Sequence, residues 1–373
     1  MAEPEHIKLP KGIRSRYVDN VNGLTMHVLE AGYFEPARPC ILLLHGFPEL
    51  AYSWRKVMLG LAEQGFHVLA PDQRGYGRTT GWATDYDTDL RPFYMLNLVQ
   101  DAAAIVGAVG RKSVAAVVGH DFGSPVAAYC ALVRPEIFRS VILMSAPFDG
   151  PPSLAPPAEP NMFALLAALS PAKKHYQHYY CARETNDDMV NPKGGLSNFL
   201  RTYFYVKSAD WAGNEPFMLR AWSPEELIKM PSYYIMNLQD DMPKAISAFT
   251  PTLNEVENCN WLTPEELDFY VQEFRRTGFQ GGLNWYRSRF LADHQRELSK
   301  FSGRTIDVPS CFIGGEQDWG VFQEPDGLQK MQNVVCSDMK FAELIPDGGH
   351  WVQQEKTDEV IALMLNFLRN CRV

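Results

Sequence analysis

The stretch VAAVVGHDFGSPVAAYCALVRPEIFRSVILMSAP, Val114 to Pro147, decides how the chain folds. Its opening VAAVV is a short apolar, partly β-branched run of the kind that fills a strand buried on both faces. After Gly119-His120-Asp121-Phe122-Gly123, the apolar residues Val126, Tyr129, Cys130 and Val133 recur at helical spacing, and Ser140 to Met144 reads as a second buried strand. The layout is strand, sharp turn, helix, strand. Glycines two residues to either side of Asp121 let the backbones of a tight strand-to-helix elbow approach closely. The apex residue then stands above the sheet, and it is an aspartate where a serine would make a different chemistry.

Toward the N-terminus, SRYVDNV and LTMHVLEAG flank Asn22-Gly23, a hairpin signal over residues 15 to 32. PCILLL (39 to 44) is a buried-strand run that stops at His45-Gly46-Phe47-Pro48-Glu49. Helical spacing over Trp54 to Gln64 leads to a strand at FHVLAPD (66 to 72), closed by Asp72-Gln73-Arg74-Gly75-Tyr76-Gly77, and Tyr94 to Val109 is again helical. Strands and helices therefore alternate up to the elbow, the pattern of a mostly parallel sheet covered on both faces.

Beyond Pro147 the composition changes. DGPPSLAPPAEP (149 to 160) contains five prolines and reads as a stiff connector leaving the sheet. Met162 to about Leu298 is rich in Tyr, Phe and Trp and reads as helices and loops. Within it Ser223-Pro224-Glu225-Glu226 and Thr263-Pro264-Glu265-Glu266 both combine a capping residue, proline at the first helical position and acids in the first turn. Val308 to Gly314 restores the buried-strand pattern before Asp318. A helix is expected within Pro325 to Asn333, a last strand at Lys340 to Ile345 before His350, and an amphipathic helix from Thr357 to Leu368. The expected class is α/β: a core domain of residues 1–147 and 299–373, interrupted by a helical cap domain of residues 148–298.

The chain of 373 residues has a net charge of -9 and no basic stripe, which disfavours nucleic acid and anionic membranes as partners. No apolar run approaches a membrane span, and the first twelve residues lack a secretory pattern. Seven scattered cysteines without a CxxC pair read as reduced thiols, and the expected compartment is the cytoplasm. His175 and His178 lack further convergent ligands, so no metal is expected. The Asp72 turn lacks the GxGxxG pattern of a dinucleotide site, and no cofactor is expected.

Three polar residues follow predicted strands: Asp121, Asp318 and His350. Their order is nucleophile, acid, histidine, that of the α/β-hydrolase layout. With His45-Gly46-Phe47-Pro48, the Asp72 to Gly77 turn and the Gly119 to Gly123 elbow, the chain over residues 12 to 370 resembles the soluble epoxide hydrolases of that fold. The resemblance implies a cis peptide before Pro48, an alkyl ester formed on Asp121, and hydrolysis by water activated by His350 with Asp318 behind it. It further implies oxyanion donors at the backbone N–H groups of Phe47 and Phe122, and a water-positioning role for Glu49. Lys174 to Tyr179 and Gly282 to Arg287 are similar to the two cap segments that supply paired tyrosines in that family. Tyr176 and Tyr286 are thus the implied donors to the epoxide oxygen, while Tyr179, Tyr180 and Tyr270 read as packing residues.

An aspartate nucleophile suits attack on saturated carbon, since the resulting ester splits one hard displacement into two easier steps. Haloalkane and haloacid dehalogenases of the same fold are the nearest alternatives. The tryptophan that their resemblance would require beside the nucleophile is Phe122 here, and their carboxylate-binding arginines are replaced by Phe122-Gly123-Ser124. A ligand sensor without turnover is a third, remoter reading. The expected partners are a small apolar epoxide and water, in a monomer or homodimer.

Overall fold

A computed structural model describes residues 8–35, 37–154 and 161–371. Ten strands occur among the described residues: β1 (Ile13–Val21), β2 (Leu24–Ala31), β3 (Cys40–Leu44), β4 (His67–Pro71), β5 (Ala116–His120), β6 (Val141–Met144), β7 (Lys173–His175), β8 (Ile235–Asn237), β9 (Ser310–Gly315) and β10 (Met339–Ile345). Eight form one sheet in the order β1-β2-β4-β3-β5-β6-β9-β10. The six strands from β4 to β10 run parallel, and the β1-β2 hairpin is added antiparallel at one edge. Every residue of β3, β4, β5, β6 and β9 is buried, which is why these strands read as continuous apolar runs and not as alternating ones.

The core helices before the cap are α1 (Arg55–Glu63), α2 (Met95–Ala108) and α3 (Gly123–Val133). Between β6 and β9 lie α4 (Met162–Ala167), α5 (Tyr176–Tyr180), α6 (Thr185–Val190), α7 (Leu196–Lys207), α8 (Pro224–Leu227), α9 (Met242–Ile246), α10 (Leu253–Asn258), α11 (Pro264–Thr277), α12 (Gln280–Arg289) and α13 (Ala292–Ser299). The chain returns to the core with α14 (Trp319–Phe322), α15 (Gly327–Lys330), α16 (Val352–Glu355) and α17 (Thr357–Asn370). This is the α/β-hydrolase fold with a helical cap inserted between core strands.

Three details differ from the sequence reading. The cap is not helical throughout: β7 and β8 pair antiparallel as a short ribbon, with Lys174 opposite Met236. The helix expected at 325–333 is a short α15 followed by a wider π turn over Met331–Val335. Ser223 precedes α8 but its side chain caps none of the helix N–H groups. At α11 the expectation holds. Thr263 accepts from Glu266 N, and the Glu266 side chain accepts from Thr263 N at 2.9 Å, a complete capping box. Residues 155–160 of the proline-rich connector and the first seven residues lie outside the described residues.

The cap is tied to the core by polar clamps at both flanks. Buried Arg55 bonds Glu266 at the start of α11 (2.7 Å) and Gln354 of α16 (2.7 Å). The Trp285 indole of α12 donates to Arg74 O at 2.9 Å, which seats that helix on the turn after β4.

Candidate active site

Because its central strands are parallel, the sheet delivers the residues after β3, β5, β6, β9 and β10 to one edge, the usual location of a site in such a fold. At the elbow, Asp121 has φ of 51°, a left-handed conformation rare for a residue with a Cβ. The elbow is tight enough to need both glycines: a Cβ on Gly119 would lie 2.0 Å from Gly123 O, and one on Gly123 would lie 2.4 Å from Leu44 O. Helix α3 leaves directly from the apex, and Asp121 O accepts from Ser124 N at 3.0 Å.

The two carboxylate oxygens of Asp121 have different surroundings. Oδ1 accepts from the backbone N–H of Phe47 at 2.8 Å, and the Phe47-Pro48 peptide is cis. Oδ2 lies 3.5 Å from Nε2 of His350. On its other side the imidazole meets Asp318, with Nδ1 2.9 Å from Oδ1. Ser145, after β6, donates to Asp318 Oδ2 at 2.5 Å and also lies 2.9 Å from His350 Nδ1. His350 Nε2 is buried and has no hydrogen-bond partner. It therefore faces the space beside Asp121 with its bonding capacity unused.

Burial alone would raise the Asp121 carboxyl, but the adjacent His350, with Lys207 and His120 behind it, holds it well below the usual carboxylate range. Asp318 is also lowered: burial opposes ionisation, and His350, Ser145 and Lys207 overcome it. Both acids are thus kept in the ionised form that a nucleophile and a histidine partner require.

The cap places two phenols above this edge. Tyr176 opens α5 immediately after the β7-β8 ribbon, its N–H donating to Tyr234 O at 2.8 Å. Its hydroxyl accepts from Gln177 Nε2 at 3.0 Å and reaches Gln323 Oε1 at 3.5 Å. Tyr286 of α12 stands edge-on to Phe122 (5.0 Å between ring centroids) and Phe47 (5.5 Å), the residues flanking the carboxylate. The two tyrosine rings are 6.2 Å apart. Burial first, and the Asp121 charge second, raise both phenols, so both remain protonated donors. Tyr179, Tyr180 and Tyr270 turn their hydroxyls to Asp188, Tyr203 and Ser53.

A family model described as alpha/beta hydrolase fold matches residues 39–357. Epoxide hydrolase A of Mycobacterium tuberculosis is 33% identical over 362 residues, covering 95% of this chain and 96% of that protein. This chain is an epoxide hydrolase of the α/β-hydrolase fold. Among solved structures, an epoxide hydrolase from an endophytic Streptomyces superposes with a TM-score of 0.80 at 30% identity, covering 97% of both chains. Potato epoxide hydrolase I superposes at 0.75 with 27% identity, covering 96% of this chain and 99% of that one.

Glu49 of this epoxide hydrolase is fully buried, where a loop acid could equally have been exposed. One of its oxygens meets His120 Nδ1 at 2.6 Å and the other accepts from Gln353 (2.9 Å) and Gln354 (3.2 Å). The far nitrogen of His120 lies 2.7 Å from the His350 carbonyl, so the acid supports the main chain of the catalytic edge through His120. Phe122 follows the apex as the residue preceding α3, with its ring between Trp285 and Tyr286.

Sequence reasoning missed Ser145, His120 and Lys207. Lys207 ends α7 as a buried lysine, its ammonium about equidistant from the rings of Tyr203 (5.5 Å), Tyr234 (5.4 Å) and Trp351 (5.6 Å). Burial lowers its pKa against the pull of Asp121, Asp318 and Glu49. A basic residue in the last turn of a helix is ordinary by sequence, so nothing marked this one. Among the described residues no group of three or more His, Cys, Asp or Glu is arranged to hold a metal, and no helix is long and apolar enough to cross a membrane.

Proposed function

We propose that the enzyme converts small apolar epoxides to vicinal diols through an ester on Asp121. The observation that carries this reading is the asymmetry of the carboxylate, with Oδ1 on the Phe47 N–H and Oδ2 open beside an unpartnered His350 Nε2. In the first half-reaction Oδ2 attacks a ring carbon, the carbon–oxygen bond of the epoxide breaks, and the released oxygen takes a proton from Tyr176 or Tyr286. Oδ1 thereby becomes the carbonyl oxygen of an ester, already seated on an N–H donor.

In the second half-reaction His350 Nε2 removes a proton from water as the water oxygen attacks the ester carbon. Negative charge grows on Oδ1, where Phe47 N–H, with that of Phe122, stabilises it. Asp318 holds the imidazole tautomer and balances the imidazolium. Collapse breaks the bond between the acyl carbon and Oδ2, the departing alkoxide takes the imidazolium proton to give the diol, the proton of the former water hydroxyl passes to the phenolate, and Asp121 is regenerated as a carboxylate. Glu49 acts from behind, through His120, on the placement of the base and its water. The ring-lined space formed by Phe47, Phe122, Tyr180 and Tyr286 favours an apolar substituent on the epoxide.

The division that fits this chemistry is a core of residues 1–147 and 299–373 carrying nucleophile and base, and a cap of residues 148–298 carrying both phenols. The absence of CxxC pairs among seven scattered cysteines supports a cytoplasmic setting. The test is a paired assay of a styrene-type epoxide and a haloalkane, scored for diol and for halide. Diol from the epoxide is expected, with an ester trapped on Asp121 and both lost in Asp121→Ala. Halide release without diol formation would overturn the reading.

A further inference from the structure

His350 lies in the loop between β10 and α16, yet its main-chain N–H is held by the cap. Its N–H donates to Lys207 O, at the end of α7, at 2.9 Å. The indole of the next residue, Trp351, donates to Phe204 O in the same helix at 2.8 Å. Contact between the two segments is close enough that a Cβ on Gly349 would lie 2.3 Å from the Ala209 nitrogen.

One side chain closes this seam. Glu355, the last residue of α16, accepts from Gly349 N (3.0 Å) and Ala209 N (2.9 Å) on Oε2, and from Trp351 N (2.8 Å) on Oε1. Both sequence neighbours of the base and the residue two beyond Lys207 thus converge on a single carboxylate. Burial pushes this acid up to about 8 against the pull of those donors, with Asp210 adding to the rise. Three N–H groups on two oxygens need an accepting lone pair on each, which a carboxyl offers on both oxygens and glutamine on only one: its amide nitrogen would face an N–H donor.

We propose that Glu355 is a positioning residue for the hydrolytic half-reaction, fixing His350 to the cap segment Lys207–Ala209. The assignment rests on the ester chemistry proposed above. Asp121 is held independently, by the elbow and by Phe47 N–H, so ester formation does not depend on Glu355. The base must find its water to within a few tenths of an ångström, and loss of the clamp falls on that step alone.

Single-turnover kinetics with a styrene-type epoxide, following ester and diol by rapid quench and intact mass, separate the two steps. In Glu355→Gln the ester is expected to form at the wild-type rate within about twofold and to hydrolyse about tenfold or more slowly, so that it accumulates. Glu355→Asp, which keeps the carboxyl at shorter reach, is expected to move the same ratio in the same direction by less. Equal slowing of both steps, an unchanged ratio, or failure of both variants to fold would overturn the proposal. Wild-type enzyme run alongside keeps the failures apart: no ester there sinks the Asp121 chemistry, whereas a normal wild-type ester with an unaltered ratio in the variants sinks only the role of Glu355.

Discussion

At the scale of single residues, the site divides its work between an acid kept ionised and phenols kept protonated. The same negative charge that suits Asp121 to the nucleophilic role proposed for it helps to raise Tyr176 and Tyr286. Exchange of either tyrosine for phenylalanine preserves the ring and deletes the hydroxyl proposed as proton donor. Tyr286→Phe and Tyr176→Phe are each expected to slow ester formation about 100-fold, the lower end of what a positioned acid contributes. Ester hydrolysis should be little changed in both. Tyr180→Phe is the control, because its hydroxyl is taken by Tyr203 at 2.8 Å, and it should cost less than about threefold in ester formation. Equal loss in all three variants, read by single-turnover kinetics, would remove the distinction drawn between donors and packing residues.

At the scale of elements, two near-identical helix starts behave differently, and stability measurements can tell them apart. Thr263 forms a full capping box at the head of the fourteen-residue α11, whereas the Ser223 side chain caps nothing at a four-residue turn. Thr263→Ala is expected to cost about 1 kcal/mol in urea unfolding, with Ser223→Ala costing only a few tenths. A Ser223→Ala loss as large as that of Thr263→Ala would contradict the difference. The strands and the elbow were legible in the sequence because a parallel strand buried on both faces leaves an unbroken apolar run, and Asp121 and Asp318 follow such runs, while His350 follows the partly exposed β10. The β7-β8 ribbon was not legible. Three residues per strand carry no periodicity, and Lys173–His175 pairs with Ile235–Asn237 across 59 residues of intervening chain. Ser145 follows a strand as the triad does, but a small polar residue before Ala146-Pro147 reads as any loop start. Glu355 and the His120 partner of Glu49 escaped for another reason: what they bond depends on which backbone groups and side chains fold against them, and no local pattern records that.

At the scale of the whole molecule, buried acids are matched to cations at widely separated points, and this sets the response to acid. Glu30 on β2 is the case farthest from the catalytic edge. Its side chain is buried, and it bonds Arg16 (2.8 Å) and Arg14 (2.7 Å) across the hairpin, with His67 of β4 at 3.4 Å. Burial acts to raise its carboxyl, but the bonds from His67, Arg16 and Arg14 prevail and bring it from 4.5 down to about 2. The folded state therefore keeps the carboxylate where the unfolded chain has already taken up a proton. The stability that Glu30 contributes is fully present above about 4.5 and is lost as pH falls toward about 2. Glu30→Gln leaves Arg14, Arg16 and His67 without their anion, so the variant should be less stable than wild type at neutral pH. The gap between the two urea midpoints should then narrow steadily through that acid window, since wild type loses there what the variant never had. A gap that stays constant between neutral pH and pH 3 would mean that the hairpin is held by its apolar face alone, and that the arginines across β1 and β2 add nothing to the stability of the sheet.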